Sequence, residues 1–167
     1  MSSEADERFH RLIQHHGAAL RRLAQAYARD TADGDDLFQD ICFAVWRALP
    51  SFRGESSERT FVFRIGHNRG LTHRSRRKES APLGEDLADR SPGPESLAVA
   101  AIRRETLLAA VRRLPEAQRQ VVTMSLEGMT PADIAEVLGT TPNSIAIRLT
   151  RARQALRALL NGAGEPR

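Results

Sequence analysis

Two stretches of this sequence carry residues whose types and spacing can do chemistry, and in both the chemistry is non-covalent. The first, ERTFVFRIGHNRGLTHRSRRK (58–78), interleaves Phe61 and Phe63 with Arg64, Arg69, Arg74, Arg76, Arg77 and Lys78. Rings beside cations suit a single-stranded nucleic acid, whose bases stack on aromatics while its phosphates meet positive charge. One of the two phenylalanines is expected to be core. The second, TTPNSIAIRLTRARQALRALL (140–160), places Ile145, Leu149, Ala152, Leu156 and Leu159 on one helical stripe. Its other face bears Asn143, Ile147, Thr150, Arg151, Gln154 and Arg157, with Arg148 to one side. An exposed isoleucine there can pack on a thymine methyl group, and the flanking arginines can reach guanine edges or phosphates.

Covalent chemistry finds little support. The five histidines, His10, His15, His16, His67 and His73, form no convincing zinc spacing with cysteine or carboxylate. No phosphate-binding glycine loop or nucleophile elbow occurs. We therefore expect no catalytic residue, no metal and no cofactor.

The elements that position these residues are helices. At 167 residues, with 5% aromatics and abundant Ala, Leu and Arg, the composition favours helix packing. The N-terminus is polar and no run of 18 apolar residues occurs, so no membrane insertion is expected; the lone Cys42 fits a reducing, cytoplasmic setting. Residues 1–80 hold 14 basic and 11 acidic groups, 81–100 hold 1 and 4, and 101–167 hold 10 and 6. No acid occurs between Thr60 and Lys78 or between Val137 and Gly164, a pattern of two contacts with a polyanion.

The stretch ESAPLGEDLADRSPGPES (79–96) is rich in proline and glycine and too polar to offset its ordering entropy. It predicts a flexible linker, drawn over 79–100, between helical domains at 1–78 and 101–167. Helices are expected at about 6–28, 33–49 and 57–78, then near 95–113, 115–127, 131–138 and 142–160. Thr130-Pro131-Ala132-Asp133 reads as a capping box, and Thr141-Pro142 as an N-cap with proline at the first helical position. With Gly139 as the turn, 131–160 predicts a helix-turn-helix whose second helix meets a DNA major groove. The helix over 33–49 puts Leu37, Ile41, Ala44 and Ala48 on one stripe. Asp36, Gln39, Asp40, Phe43, Trp46 and Arg47 fall on the other. Exposed aromatics there imply a partner, unless another part of the chain covers them. Gly66 and Gly70 point to close approach by another helix or by DNA backbone.

Taken together, these pieces resemble a bacterial RNA polymerase sigma factor of the extracytoplasmic-function (ECF) group. DGDDLFQDICFAVWRALPSFRGESSERTFVFRIGHNRGLTHRSRRK is similar to that group's second conserved region. LLAAVRRLPEAQRQVVTMSLEGMTPADIAEVLGTTPNSIAIRLTRARQALRALL is similar to its fourth. The resemblance implies that Asp36, Gln39, Asp40, Phe43, Trp46 and Arg47 dock on the β′ clamp helices of core RNA polymerase, with the β flap a second contact. Ser51, Phe52, Arg53, Gly54, Glu55 and Ser56 match the loop that receives a base flipped from the −10 element. Phe61, Arg64, Asn68 and Arg69 match the helix that holds the melted strand. Thr141, Asn143, Ser144, Ile147, Arg148 and Arg151 match the −35 reading helix. An anti-sigma factor is the implied regulator. Phe61 stands where the group usually has tryptophan, so stacking persists on a smaller ring; Ala146-Ile147 replaces a frequent Lys-Ser pair at the reading face, so the group's familiar promoter consensus is not assumed. The alternative, a stand-alone helix-turn-helix regulator of duplex DNA, accounts for 101–160 and leaves the first half without a role.

Overall fold

The computed structural model describes residues 2–80 and 99–162. Among them the chain forms seven α-helices, one 3-10 turn and no strand. They are α1 (Ser2–Tyr27), α2 (Thr31–Ala48), α3 (Glu58–Ser80), α4 (Val99–Arg113), α5 (Glu116–Leu126), α6 (Pro131–Leu138) and α7 (Pro142–Gly162). The greater part of the expected linker, 81–98, lies outside the described residues. At its margins the linker drawn over 79–100 needs correction: Glu79 and Ser80 still belong to α3, and Val99 and Ala100 already belong to α4. None of the described helices is long and apolar enough to cross a membrane.

The chain divides into two compact units. In the first, α1 packs against both α2 and α3, and α2 against α3. Leu12, Leu20, Leu23 and Tyr27 of α1 join Leu37, Ile41 and Val45 of α2 and Val62 and Phe63 of α3 as its buried core. Burial of these side chains is the main force holding so small a unit together, at roughly 1.5–3 kcal/mol for each large one. The N-terminus of α2 is fixed locally. Asp30 accepts a hydrogen bond from the Asp33 amide (2.8 Å), and Asp33 accepts one from the Arg29 amide (2.8 Å). This reciprocal cap starts α2 at Thr31, two residues ahead of the expected Asp33. Pro50 lacks a donor and disfavours helix before it, so α2 gives way to a 3-10 turn over Leu49–Ser51.

Gly66 and Gly70 resolve as helix-approach positions. A Cβ on Gly70 would lie 2.7 Å from the Tyr27 ring, and one on Gly66 would lie 2.8 Å from Cδ2 of Leu23. The neighbour they admit is α1. The same crossing lets the Tyr27 hydroxyl and Nδ1 of His67 meet at 2.6 Å in the core, which satisfies two otherwise buried polar groups.

In the second unit α4 and α5 pack on α7, and α6 leads into α7. Val111, Leu114, Val121, Met124, Ile134, Ile145, Leu149 and Ala152 are buried. Arg119, unusually for an arginine, is buried among them and donates from Nη2 to the Leu114 carbonyl at 2.9 Å.

Candidate functional site

The helix-turn-helix is built by caps that the sequence spells out. The Asp133 amide donates to Oγ1 of Thr130 (3.2 Å), and the Thr130 amide donates to Oδ2 of Asp133 (3.1 Å). The capping box closes as expected. Helix α6 ends at Gly139, whose φ of 67° is the left-handed conformation that glycine adopts without a Cβ clash. The Thr140 amide then reaches back to the Ala135 carbonyl (3.0 Å), satisfying a carbonyl at the helix end. Thr141 caps α7 by accepting from the Ser144 amide (3.2 Å), with Pro142 in the first helical position.

With Ile145, Leu149 and Ala152 inward, the face of α7 that turns to solvent is fixed. Thr141, Asn143, Ile147 and Arg151 are exposed, and Ser144 and Arg148 are half-buried at its edge. Ile147 keeps 47% of its surface open. All six expected duplex-reading residues thus lie on or beside one N-terminal face.

In the first unit, the far side of α2 carries a second face. Phe43 is 55% and Trp46 46% exposed, and their rings stack at 6.1 Å with 25° between planes. The Arg47 guanidinium lies over Phe43 at 5.8 Å, and the indole N–H of Trp46 donates to Asp6 at 3.2 Å. That bond engages the polar edge of Trp46 and leaves much of its ring open. Asp36 and Gln39 are exposed on the same face and Asp40 is half-buried.

The third face combines the 51–56 loop with α3. Ser51 closes the 3-10 turn by donating to the Ala48 carbonyl (2.8 Å). Arg53, Gly54 and Glu55 are exposed, with Gly54 at a φ of 76°. Phe61 does not stand alone on this face. Its ring lies on Phe52 with centroids 4.3 Å apart and 23° between planes, so the two rings form one apolar slab. Phe63 is the core ring of the pair in α3. Asn68 is exposed, Arg64 and Arg69 are half-buried, and Arg69 Nε lies 3.8 Å from Asp40.

Farther along α3 the basic run is partly structural. Asp33 bonds His73 at 2.8 Å and Arg77 at 3.4 Å, besides the Arg29 amide. Burial pushes the Asp33 carboxyl upward, but these three donors outweigh it and hold its pKa below the usual value. By its place in the basic run, Arg77 is expected to face a polyanion. An acid forty-four residues away, brought in by packing, takes part of its charge.

An all-helical chain with a capped helix-turn-helix and a basic reading face defines a transcription-factor class of fold. Comparison with known proteins narrows the class. Residues 12–80 match the family Sigma-70 region 2, and residues 104–156 match Sigma-70, region 4. The chain is 32% identical to the RNA polymerase sigma factor NccH of Alcaligenes xylosoxydans xylosoxydans, with 93% of this chain and 88% of NccH covered. It is 34% identical to the ECF RNA polymerase sigma factor SigM of Mycobacterium tuberculosis, with 91% and 76% covered. Its structure is similar to CnrH in complex with the cytosolic domain of CnrY, at 28% identity and a TM-score of 0.71, covering 96% of this chain and 94% of CnrH. It also shares the fold of the sigma factor RpoE in complex with the anti-sigma factor NepR from Bartonella quintana. That match has 23% identity and a TM-score of 0.75, covering 93% and 98%. The chain belongs to the extracytoplasmic-function sigma factors and directs RNA polymerase to promoters. The stand-alone regulator is set aside, because the region 2 match fills the half of the chain that such a regulator leaves unexplained.

Proposed function

We propose that this sigma factor divides promoter recognition among its three faces. The α2 face of Asp36, Gln39, Asp40, Phe43, Trp46 and Arg47 docks on the β′ clamp helices of core RNA polymerase. The 51–56 loop with Phe61, Arg64, Asn68 and Arg69 captures the melted −10 strand. Thr141, Asn143, Ser144, Ile147, Arg148 and Arg151 read the −35 duplex, while the second unit also meets the β flap. The observation that carries the reading is the stacked, open pair Phe43–Trp46. Large aromatics left in water on a helix whose other side is core favour a partner surface, where such residues supply most of the affinity.

Two similar structures are complexes, one with the anti-sigma factor NepR and one with the cytosolic domain of CnrY. Their likeness supports an anti-sigma factor for this protein, covering its polymerase-binding faces. The work of such a complex is cytoplasmic, at the nucleoid.

The test is a promoter footprint made with and without core polymerase. Specific protection is expected only with core. Trp46→Ala combined with Asp40→Ala should abolish protection while leaving the helical circular dichroism unchanged. Full protection by the double variant would remove the α2 face from the docking role.

A further inference from the structure

Helix α1 places Arg8, Arg11, His15 and His16 at spacings of three, four and one, which gathers them on one helical face. With Leu12 and Glu58, at the first turn of α3, they line a concavity of about 230 Å³. Sites for whole small molecules run to roughly 300–1,000 Å³ and are mostly apolar, so this one is both small and unusually cationic. Leu12 is its apolar lining residue and Glu58 its acid. Among the described residues, Arg8 and Arg11 both line the hollow and form no ion pair. Paired arginines facing a shared hollow suit a phosphate or carboxylate ligand. The Nδ1 of His15 donates to the Arg11 carbonyl (2.8 Å), which holds the His15 ring against its own helix and leaves the anion to the two guanidiniums. Burial holds His16 below the ordinary imidazole value, with Glu58 pulling it up and His15 and Arg59 pushing it down. Arg8 and Arg11 supply the permanent positive charge of the hollow.

What adjoins the hollow selects among anions. The Arg8 guanidinium also lies over the Phe52 ring at 5.5 Å, and Phe52 carries Phe61 at 4.3 Å. Cationic lining and stacked rings are thus contiguous. That is the pairing a nucleic-acid strand needs, with bases on the rings and phosphates on the charge.

We propose that this face of α1 is a phosphodiester-binding wall that holds the backbone of the melted strand beside the Phe52–Phe61 slab. The inference rests on the reading of the 51–56 loop and α3 as the strand-capturing face. It adds to that face a helix outside it, and names Arg8 and Arg11 as the principal contacts.

The test uses the holoenzyme on a template already unpaired across the −10 element, so that melting is not measured. Affinity is read at several salt concentrations for the parent, for Arg8→Ala/Arg11→Ala and for Arg8→Lys/Arg11→Lys. Two lost contacts to a single strand should make the slope of log K against log salt shallower by about 1.4. The lysine variant should keep most of the slope. A second arm replaces each non-template linkage, one at a time, with a neutral methylphosphonate. The parent should lose affinity at one or two linkages, and the alanine variant should be indifferent to those same substitutions. Unchanged affinity and slope in the alanine variant would overturn the proposal. So would a loss of affinity with the parent's slope and linkage profile intact, since the arginines would then only prop Phe52. Phe61→Ala on the same template separates the two levels. If it weakens binding while the linkage scan is flat, only the α1 wall falls. If it too has no effect, the strand-capturing reading falls and the wall with it.

Discussion

Arg69 of α3 lies 3.8 Å from Asp40 of α2, so a residue assigned to the melted strand touches one assigned to the polymerase. The two faces of the first unit meet at this ion pair. Both side chains are only half-buried, keeping 33% and 45% of their surface open to water, which limits the pair to at most about 1 kcal/mol of stability. We expect thermal melts of Asp40→Ala, Arg69→Ala and the double variant to yield a coupling within that bound. Function should separate them: Asp40→Ala weakens core binding, and Arg69→Ala weakens capture of an unpaired −10 strand. Identical functional profiles for the two single variants would mean that the pair acts as a structural tie.

Gly70 and Gly66 make a matched comparison. Alanine gains about 1 kcal/mol over glycine inside a helix, but overpacking costs typically 1–3 kcal/mol. At Gly70 the obstacle is the Tyr27 ring, held in place by its bond to His67. At Gly66 it is the end of the Leu23 side chain, which can turn aside. Gly70→Ala should therefore lose about 2 kcal/mol in urea unfolding, followed by Trp46 fluorescence. Gly66→Ala should stay within about 1 kcal/mol of the parent. A reversed order would contradict the crossing of α1 and α3 described above.

The cluster around Asp33 makes stability depend on acid. Its folded carboxyl titrates below the ordinary aspartate value of about 3.9, held down by Arg29, His73 and Arg77 against the effect of burial. A depressed carboxyl contributes stability that is present above the unfolded pKa and lost as pH falls through the lower folded one. Asp33→Ala should cost about 2 kcal/mol near pH 5.5, the size expected for hydrogen bonds to a charged group whose side chain is only 12% exposed. Urea melts carried down to pH 2.5 should show the gap between parent and variant closing. A gap constant through that range would leave the cluster without an electrostatic role.

Ile147 tests reading against folding. It is 47% exposed, so Ile147→Ala should change stability by no more than about 0.5 kcal/mol. In transcription from a library randomised across the −35 element, it should relax preference at one position by roughly 1 kcal/mol. Arg157→Ala, farther along the helix, should weaken all −35 sequences alike. An unchanged preference for Ile147→Ala would make the residue an ordinary exposed apolar side chain.

What the sequence determined by itself was everything set by neighbours a few residues apart. Thr130 with Asp133, Gly139, and Thr141 with Pro142 fix the helix-turn-helix through bonds spanning three to five residues. The three- and four-residue spacing of Leu37, Ile41 and Ala44 fixes which side of α2 is inward, and so leaves Phe43 and Trp46 outward. Tertiary structure alone decided the pairings across some nine to fifty residues: Phe52 on Phe61, Tyr27 with His67, Asp33 with Arg77, and the hollow shared by α1 and Glu58. Helical periodicity gives the direction of a side chain about its own axis, but not which residue of another helix stands opposite. That depends on where the helices cross, and here the bare backbone of Gly66 and Gly70 sets the crossing by letting Leu23 and Tyr27 lie against it.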